Sequence, residues 1–501
     1  MAENKTTVAN ENAELKRGIK GWQVAFIGLG GVIGSCYFLG VGECISKMGP
    51  AVIIAFLVVG VIVYGTMIAY AELLVNFPRT GSFVSYCKEF LSPAVSTGFG
   101  WAFWFNWVCY VPSEAIAVST VITSLVGTKN VVPYIAIALG AMLAITIINL
   151  CAVDIFAKIE SGLAISKVII IMVFIIAAFG IWCGLWGSND TYTGFLAGQV
   201  NFGGEMTFTA KLFPLGLMAV VSMMVTVLVT FQGTEIVGLT AAESENPQVA
   251  VPKACKSVTY RIALLYLVPL IIVIMVFPYN MASADTPVFA DIMNFYHMGP
   301  LGTIFSAVVL LAAFSCANTG FYGTVRAMFG LSFEGLAPKF LCKVDKKTGN
   351  PRNAVLWTLA FMWCVLIIGL ISQVTGALAS LYTSLLSLSG FTGSVAWIGI
   401  ILSMLSMRRR LKKNGYDPET CLKAKISKGQ MWIPYFAFIA QIICLIMLVF
   451  DSVPIFMIAC CAIFLPMAGY KIADKTGRLR ELRKNDDEIP FDEVFPPIKT
   501  D

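Results

Sequence analysis

LKRGIKGWQVAFIGLGGVIGSCYFLGVG, residues 15–42, opens on cations and continues as an apolar run interrupted by glycine. The interruption is Gly28-Leu29-Gly30-Gly31-Val32-Ile33-Gly34-Ser35. Each glycine inside a helix costs about 1 kcal/mol relative to alanine, so this stretch is expected to unwind. Unwound backbone is tolerated in lipid only where it faces protein or a cavity. A later apolar run carries a second interruption, Thr230-Phe231-Gln232-Gly233-Thr234-Glu235. A break of this kind frees N–H groups on one half-helix and C=O groups on the other. The N–H end suits a carboxylate, and the C=O end suits an ammonium group or a cation. Paired breaks in matching halves of a chain point to a transport site. A zwitterion with one carboxylate and one ammonium, an α-amino acid, fits that chemistry. The competing reading treats Gly30, Gly31 and Gly34 as small-residue packing positions between helices.

Composition agrees with a bilayer setting. Of 501 residues, 58% are hydrophobic and 13% are charged, with a mean hydropathy of +0.80. Soluble domains are nearer 45–50% apolar and about 25% charged. A water-facing surface this apolar would aggregate. The fold class expected is therefore all-α integral membrane. Residues 1–15 are polar, and Lys16, Arg17 and Lys20 lead straight into the first apolar run without a cleavage-site pattern, so that run reads as a retained helix. Cysteines show no C-x-x-C spacing, and most lie in apolar runs, where Cys behaves as a small hydrophobe. Cys44 and Cys183 sit near helix ends, where a disulfide is one option. His297 is the single histidine, which argues against histidine catalysis and a histidine metal site.

About 20 apolar helical residues span the hydrocarbon core. Such runs begin near Trp22, Ala51, Thr97, Val132, Ile159, Leu215, Ile262, Leu301, Ala354, Ala377, Met431 and Val453, which predicts about twelve transmembrane helices. The cations are asymmetric. One side carries Lys47, Lys129 and Lys211, while the other carries clusters from Lys339 to Arg352, Arg408 to Lys428 and Lys471 to Lys484. The positive-inside rule then puts both termini in the cytoplasm. The expected layout is a cytoplasmic tail at 1–20, a transport core at 21–407, a cytoplasmic loop at 408–430, two further helices at 431–472 and a cytoplasmic tail at 473–501. The loop is expected to hold a short surface helix, residues 81–92 to lie in the membrane interface, and the stretch from Gly477 onward to be mobile.

The chain resembles the amino acid–polyamine–organocation superfamily, and more closely its amino acid permease branch. Besides residues 15–42, the matching stretches are AELLVNFPRTGSF (71–83), FQGTEIVGLTAAESENPQVAVPKA (231–254), ANTGFYGTVRAMFGLSFEGLAPK (317–339) and LLSLSGFTGSVAWIGI (385–400). The likeness runs from about residue 15 to 470 in the same order. It implies a five-plus-five inverted repeat with broken first and sixth helices, two further helices, and alternating access. It implies that the first break, at Gly30, Gly31, Val32, Ile33, Gly34 and Ser35, binds a substrate carboxylate. The second, at Thr230, Phe231, Gln232 and Gly233, would bind the amino group, with Phe231 as a hydrophobic cover.

Ionisable groups inside a membrane cost about 2.5–3.5 kcal/mol each on insertion scales and are functional candidates by default. Lys167 lies midway along the fifth run, where its place resembles the lysine of proton-coupled relatives. Ser315, Asn318 and Thr319 would be its partners. It either exchanges protons or serves as a fixed cation, and both readings imply sodium independence. Glu114 follows Pro112 and pairs with a cationic substrate, relays protons or holds a neighbouring helix. Glu235 resembles a family acid tied to gating or protonation. Glu160 shares a helix face with Lys167 but lies about 10 Å away along the axis, and is not expected to pair with it directly. Glu72, Glu243, Glu245, Arg326 and Glu334 read as salt bridges at helix ends.

The resulting expectation is a plasma-membrane importer of an amino acid, driven by proton symport. Its partners are the amino acid, protons and the lipid bilayer, with no nucleic acid, cofactor or metal. The alternatives are an amino acid exchanger and a membrane sensor. No nucleophile–base–orienter set suggests an enzyme.

Overall fold

Backbone inside a bilayer must satisfy its own hydrogen bonds, so long apolar runs fold as helices. The computed structural model describes residues 31–79, 81–150, 153–186, 208–239, 247–345, 350–376, 381–477 and 491–498, and every regular element there is helical. A π-helical turn, Cys36–Gly40, leads into α1 (Val41–Met48), followed by α2 (Val52–Asn76), α3 (Phe83–Phe90), α4 (Pro93–Val126), α5 (Val131–Asn149) and α6 (Val153–Trp182). Next come α7 (Leu217–Val229), α8 (Ile236–Leu239), α9 (Pro247–Val276), α10 (Val288–Phe295), α11 (Gly299–Phe333) and α12 (Arg352–Val374). The chain ends with α13 (Leu381–Lys413), α14 (Trp432–Asp451), α15 (Val453–Lys475) and α16 (Phe491–Val494). Ten segments among the described residues are long and apolar enough to cross a membrane.

Local chemistry sets the helix ends. Ser92 accepts from the Val95 N–H and Pro93 occupies the first turn of α4, a preorganised start. Asn130 caps α5 through the Val132 N–H at 3.0 Å. The seventh run begins earlier than its hydropathy suggests, at Pro247 rather than near Ile262, because its first turns are polar. The helix expected to end at 407 continues to Lys413, with its cations on the last turns, where they complement the helix dipole.

α4 forms the centre of the bundle, packed against α11 and α13. The outer helices instead expose Ile147, Ile176, Ile371, Phe450, Phe464 and Leu465, a lipid-compatible surface. Among the described residues the cysteines are free thiols. Cys44 is fully buried and Cys183 exposed, so the optional disulfide between them is not made.

The cation-rich end is knitted by ion pairs. Arg408 meets Glu72 at 2.6 Å and the Ile426 carbonyl at 2.7 Å, and Glu72 accepts the Ile426 N–H at 2.7 Å. This ties the loop after α13, which carries the short helix Pro418–Cys421, to α2. Lys88 reaches Glu334 at 3.0 Å, and Ser85 also donates to Glu334. Arg326 lies over the Tyr322 ring at 4.4 Å. Glu243 and Glu245 lie outside the described residues. In the stretch at 81–92, α3 packs into the protein, burying Phe83, Val84, Ser85, Tyr86 and Cys87.

The end of the chain was expected to be mobile, yet residues 491–498 are docked. Phe491 is fully buried and packs on Phe77 and Phe90 at 5.6 and 5.5 Å between centroids. Arg410 lies over the Phe491 ring at 4.9 Å and pairs with Asp492. That hydrogen bond holds the Asp492 carboxyl below its usual range. The physical reason is that two phenylalanines, Phe491 and Phe495, stand among the charges of the tail and find an aromatic pocket.

Two predictions follow from this architecture. Glu72→Ala leaves the Arg408 guanidinium only the Ile426 carbonyl and Glu419 at 3.7 Å, and should cost about 3 kcal/mol, read as a lower unfolding midpoint. A Glu72→Leu, Arg408→Met pair should lose far less, and equal losses would show that the ion pair is not the source. On α10, burial pushes the Asp291 carboxyl up to about 6, against a Thr286 hydrogen bond that lowers it. The folded form therefore holds the proton more tightly. Its contribution is complete below the ordinary carboxylate range and is lost as pH rises through about 6. Asp291→Asn should flatten the pH dependence of unfolding in that window, and an unchanged profile would refute the assignment.

Candidate functional site

Residues 31–34 form turns and bends, and the chain re-enters helix through the π-helical turn. Gly30 lies outside the described residues. Side chains from four other helices meet the opened backbone. The Cys316 thiol of α11 donates to the Gly31 carbonyl at 3.0 Å. The Tyr266 hydroxyl of α9 stands 2.8 Å from the Val32 carbonyl. Both oxygens of Glu114, on α4, lie 3.2 Å from the Ser35 amide nitrogen, which donates to that carboxylate. The Tyr382 hydroxyl of α13 is 3.1 Å from the Ser35 hydroxyl. Val32, Ile33, Ser35 and Glu114 are all buried.

The second interruption is seen from both sides. α7 ends at Val229, residues 230–235 are turns, and α8 resumes at Ile236. Gly233 has φ +104°, a backbone conformation that glycine adopts without steric cost. A Cβ there would stand 2.7 Å from the Gly31 carbonyl carbon, so the two breaks touch. The Tyr266 hydroxyl is also 2.9 Å from the Thr230 carbonyl, which places one donor between both breaks. Glu235 closes its own break, accepting the Gly233 N–H at 3.1 Å and the Trp397 indole N–H at 2.9 Å. Gln232 donates to the Gly390 carbonyl at 3.1 Å, beside a Ser389–Asn106 hydrogen bond. Phe231 stacks on Tyr266 at 4.9 Å and tilts against Phe56 at 5.6 Å.

A second polar cluster adjoins the first break. Lys167 of α6 is buried, and the charge of Glu160 acts on it. Ser315 donates to one oxygen of Glu160. The Asn318 amide and the Thr319 hydroxyl also face the Glu160 carboxylate. The Thr319 methyl lies 2.8 Å from where a Cβ on Gly31 would stand. The structure thus gathers Gly31, Val32, Ile33, Gly34, Ser35, Glu114 and residues 230–235 into one centre, with Ser315, Asn318, Thr319 and Glu160 beside it.

Residues 23–481 match the family described as Amino acid permease. The chain belongs to that family. It is 31% identical over 427 residues to the lysine-specific permease LysP of Lactococcus lactis subsp. cremoris, covering 83% of this chain and 80% of that one. It is 33% identical to the amino-acid permease RocC of Bacillus subtilis, with 81% and 83% covered. It is 31% identical to the aromatic amino acid transport protein AroP of Escherichia coli O6:H1, with 93% and 97% covered. With ten segments among the described residues long and apolar enough to cross a membrane, this permease is a multi-pass membrane protein of amino acid transport.

Sequence reading passed over Tyr266, Cys316, Trp397, Tyr382 and Asn106. Each lies in an apolar run where an aromatic, a thiol or a single polar residue reads as core. Cys316 sits in the helix face that also carries Thr319 and Gly320, three and four residues on, the one pattern that could have marked it. In this permease, Tyr266→Phe removes the donor that stands between two buried carbonyls. It should cost about 1–3 kcal/mol, read as a lower unfolding midpoint. No change would show that the hydroxyl does not hold the breaks together.

Proposed function

We propose that this permease imports an α-amino acid across the plasma membrane by alternating access, coupled to proton symport, with both termini cytoplasmic. The observation that carries the reading is the contact of the two breaks, Gly233 against Gly31. It brings the N–H end of one half-helix and the C=O end of another to a single buried place, as a zwitterion requires. In this proposal Ser35 and its neighbours receive the carboxylate, and the carbonyls around Thr230 and Phe231 receive the ammonium. Twelve helices with a five-plus-five inverted repeat supply the two rocking halves. Relatives named for lysine and for aromatic amino acids support the substrate class and leave the side chain open, and one named for γ-aminobutyric acid makes a wider spacing of amine and carboxylate the alternative.

Lys167 gives the reason to favour protons over sodium. A buried ammonium beside the first break would occupy with its own charge the space a sodium ion would need. A proton entering at a membrane potential of 100 mV carries about 2.3 kcal/mol, which permits accumulation. Exchange is the second reading. In proteoliposomes, labelled L-lysine, L-histidine, L-phenylalanine and γ-aminobutyric acid should be tested with and without an inward proton gradient. At least one should accumulate in empty vesicles only with the gradient and without sodium. Uptake only from preloaded vesicles would establish exchange, and a sodium requirement would overturn the role of Lys167.

A further inference from the structure

Glu114 occupies the place that the proposed function assigns to the substrate. Both its oxygens lie 3.2 Å from the Ser35 nitrogen, at the N–H-bearing start of the helix that resumes at Cys36. A Cβ on Gly34 would run into this carboxylate and stand 2.7 Å from the Cys316 sulfur. The acid is therefore pressed against the break itself. Two carboxylates cannot share that seat, because like charges at contact in a low-dielectric interior repel strongly.

We propose that Glu114 is a tethered competitor for the carboxylate seat: the amino acid binds by displacing it, and Glu114 takes up one proton as it leaves. This deepens, and rests on, the amino acid reading above. The groups that face Glu114 explain why a proton is needed. Tyr110 lies on its own helix, Ser35 and Cys36 at the break, Cys316 on α11, Tyr266 on α9 and Tyr382 on α13, while Lys167 on α6 is the cation among them. Once the incoming carboxylate holds the Ser35 N–H, an ionised Glu114 would be a third buried carboxylate, with Glu160 and the substrate's own, against two cations, Lys167 and the substrate ammonium. Protonation removes that charge. Asn318 and Thr319, buried beside the same break and facing Glu160, are polar groups that the displaced acid or the substrate could meet.

The test is equilibrium binding of the same four labelled compounds to purified protein in detergent from pH 5.5 to 8.5. Ionised Glu114 competes, so wild-type affinity should fall as pH rises, with Kd approaching about a tenfold increase per pH unit. In Glu114→Gln, Kd should stay within about twofold across the range. Glu114→Asp, one methylene shorter, withdraws the acid from Ser35 and should tighten binding at pH 8, which keeps the idea testable if the glutamine variant fails to fold. A flat wild-type profile, or a slope that survives in Glu114→Gln, would overturn the competitor while leaving amino acid transport intact. No tightening in Glu114→Asp would overturn it too. Binding of none of the four compounds at any pH would overturn the amino acid reading itself.

Discussion

Every peptide group released from a helix ladder in a dry interior has to find another partner, and at the centre of this protein that requirement organises everything around it. Gly31 and Val32 give up their ladder carbonyls, and Cys316 and Tyr266 reach across from other helices to meet them. Ser35 and Gly233 present free N–H groups, and two carboxylates, Glu114 and Glu235, accept them. An unmet buried polar group costs about 1–3 kcal/mol, so these contacts hold the two breaks in register.

The two acids share one chemistry but differ in constraint. Glu235 bonds the Gly233 N–H two residues earlier and is steadied by the Trp397 indole, so it seals the break in which it sits. Glu114 comes from a different helix, α4, beside Pro112, and its hold on Ser35 lasts only as long as α4 and the first break keep their relation. Any movement of α4 against the first break would therefore break the Glu114 bond while leaving the Glu235–Gly233 bond intact.

Around this centre the scaffold is conventional helix packing, closed at one end by charge. Glu72 with Arg408, and Glu334 with Lys88 and Ser85, join α2, α3, α11 and α13. The chain end adds Phe491, seated among Phe77 and Phe90 beneath Arg410. The expected mobility of that tail rested on its charges and prolines, whereas two phenylalanines four residues apart, Phe491 and Phe495, decide its placement.

The sequence by itself determined the helical class, the positions of most helix starts and both interruptions, because hydropathy and glycine content act locally and need no neighbour to be read. Helix beginnings at Val52, Val131, Trp432 and Val453 fall within a residue or two of the apolar runs that predict them. Tertiary structure alone decided which groups meet: that Gly233 rests on Gly31, that Tyr266 bridges two carbonyls, that Ser315 turns to Glu160, and that Glu114 takes the Ser35 N–H. Those pairings join residues 36 to 234 positions apart. They depend on how helices rotate about their axes, and a single sequence with near-uniform apolar faces does not encode that rotation in its periodicity.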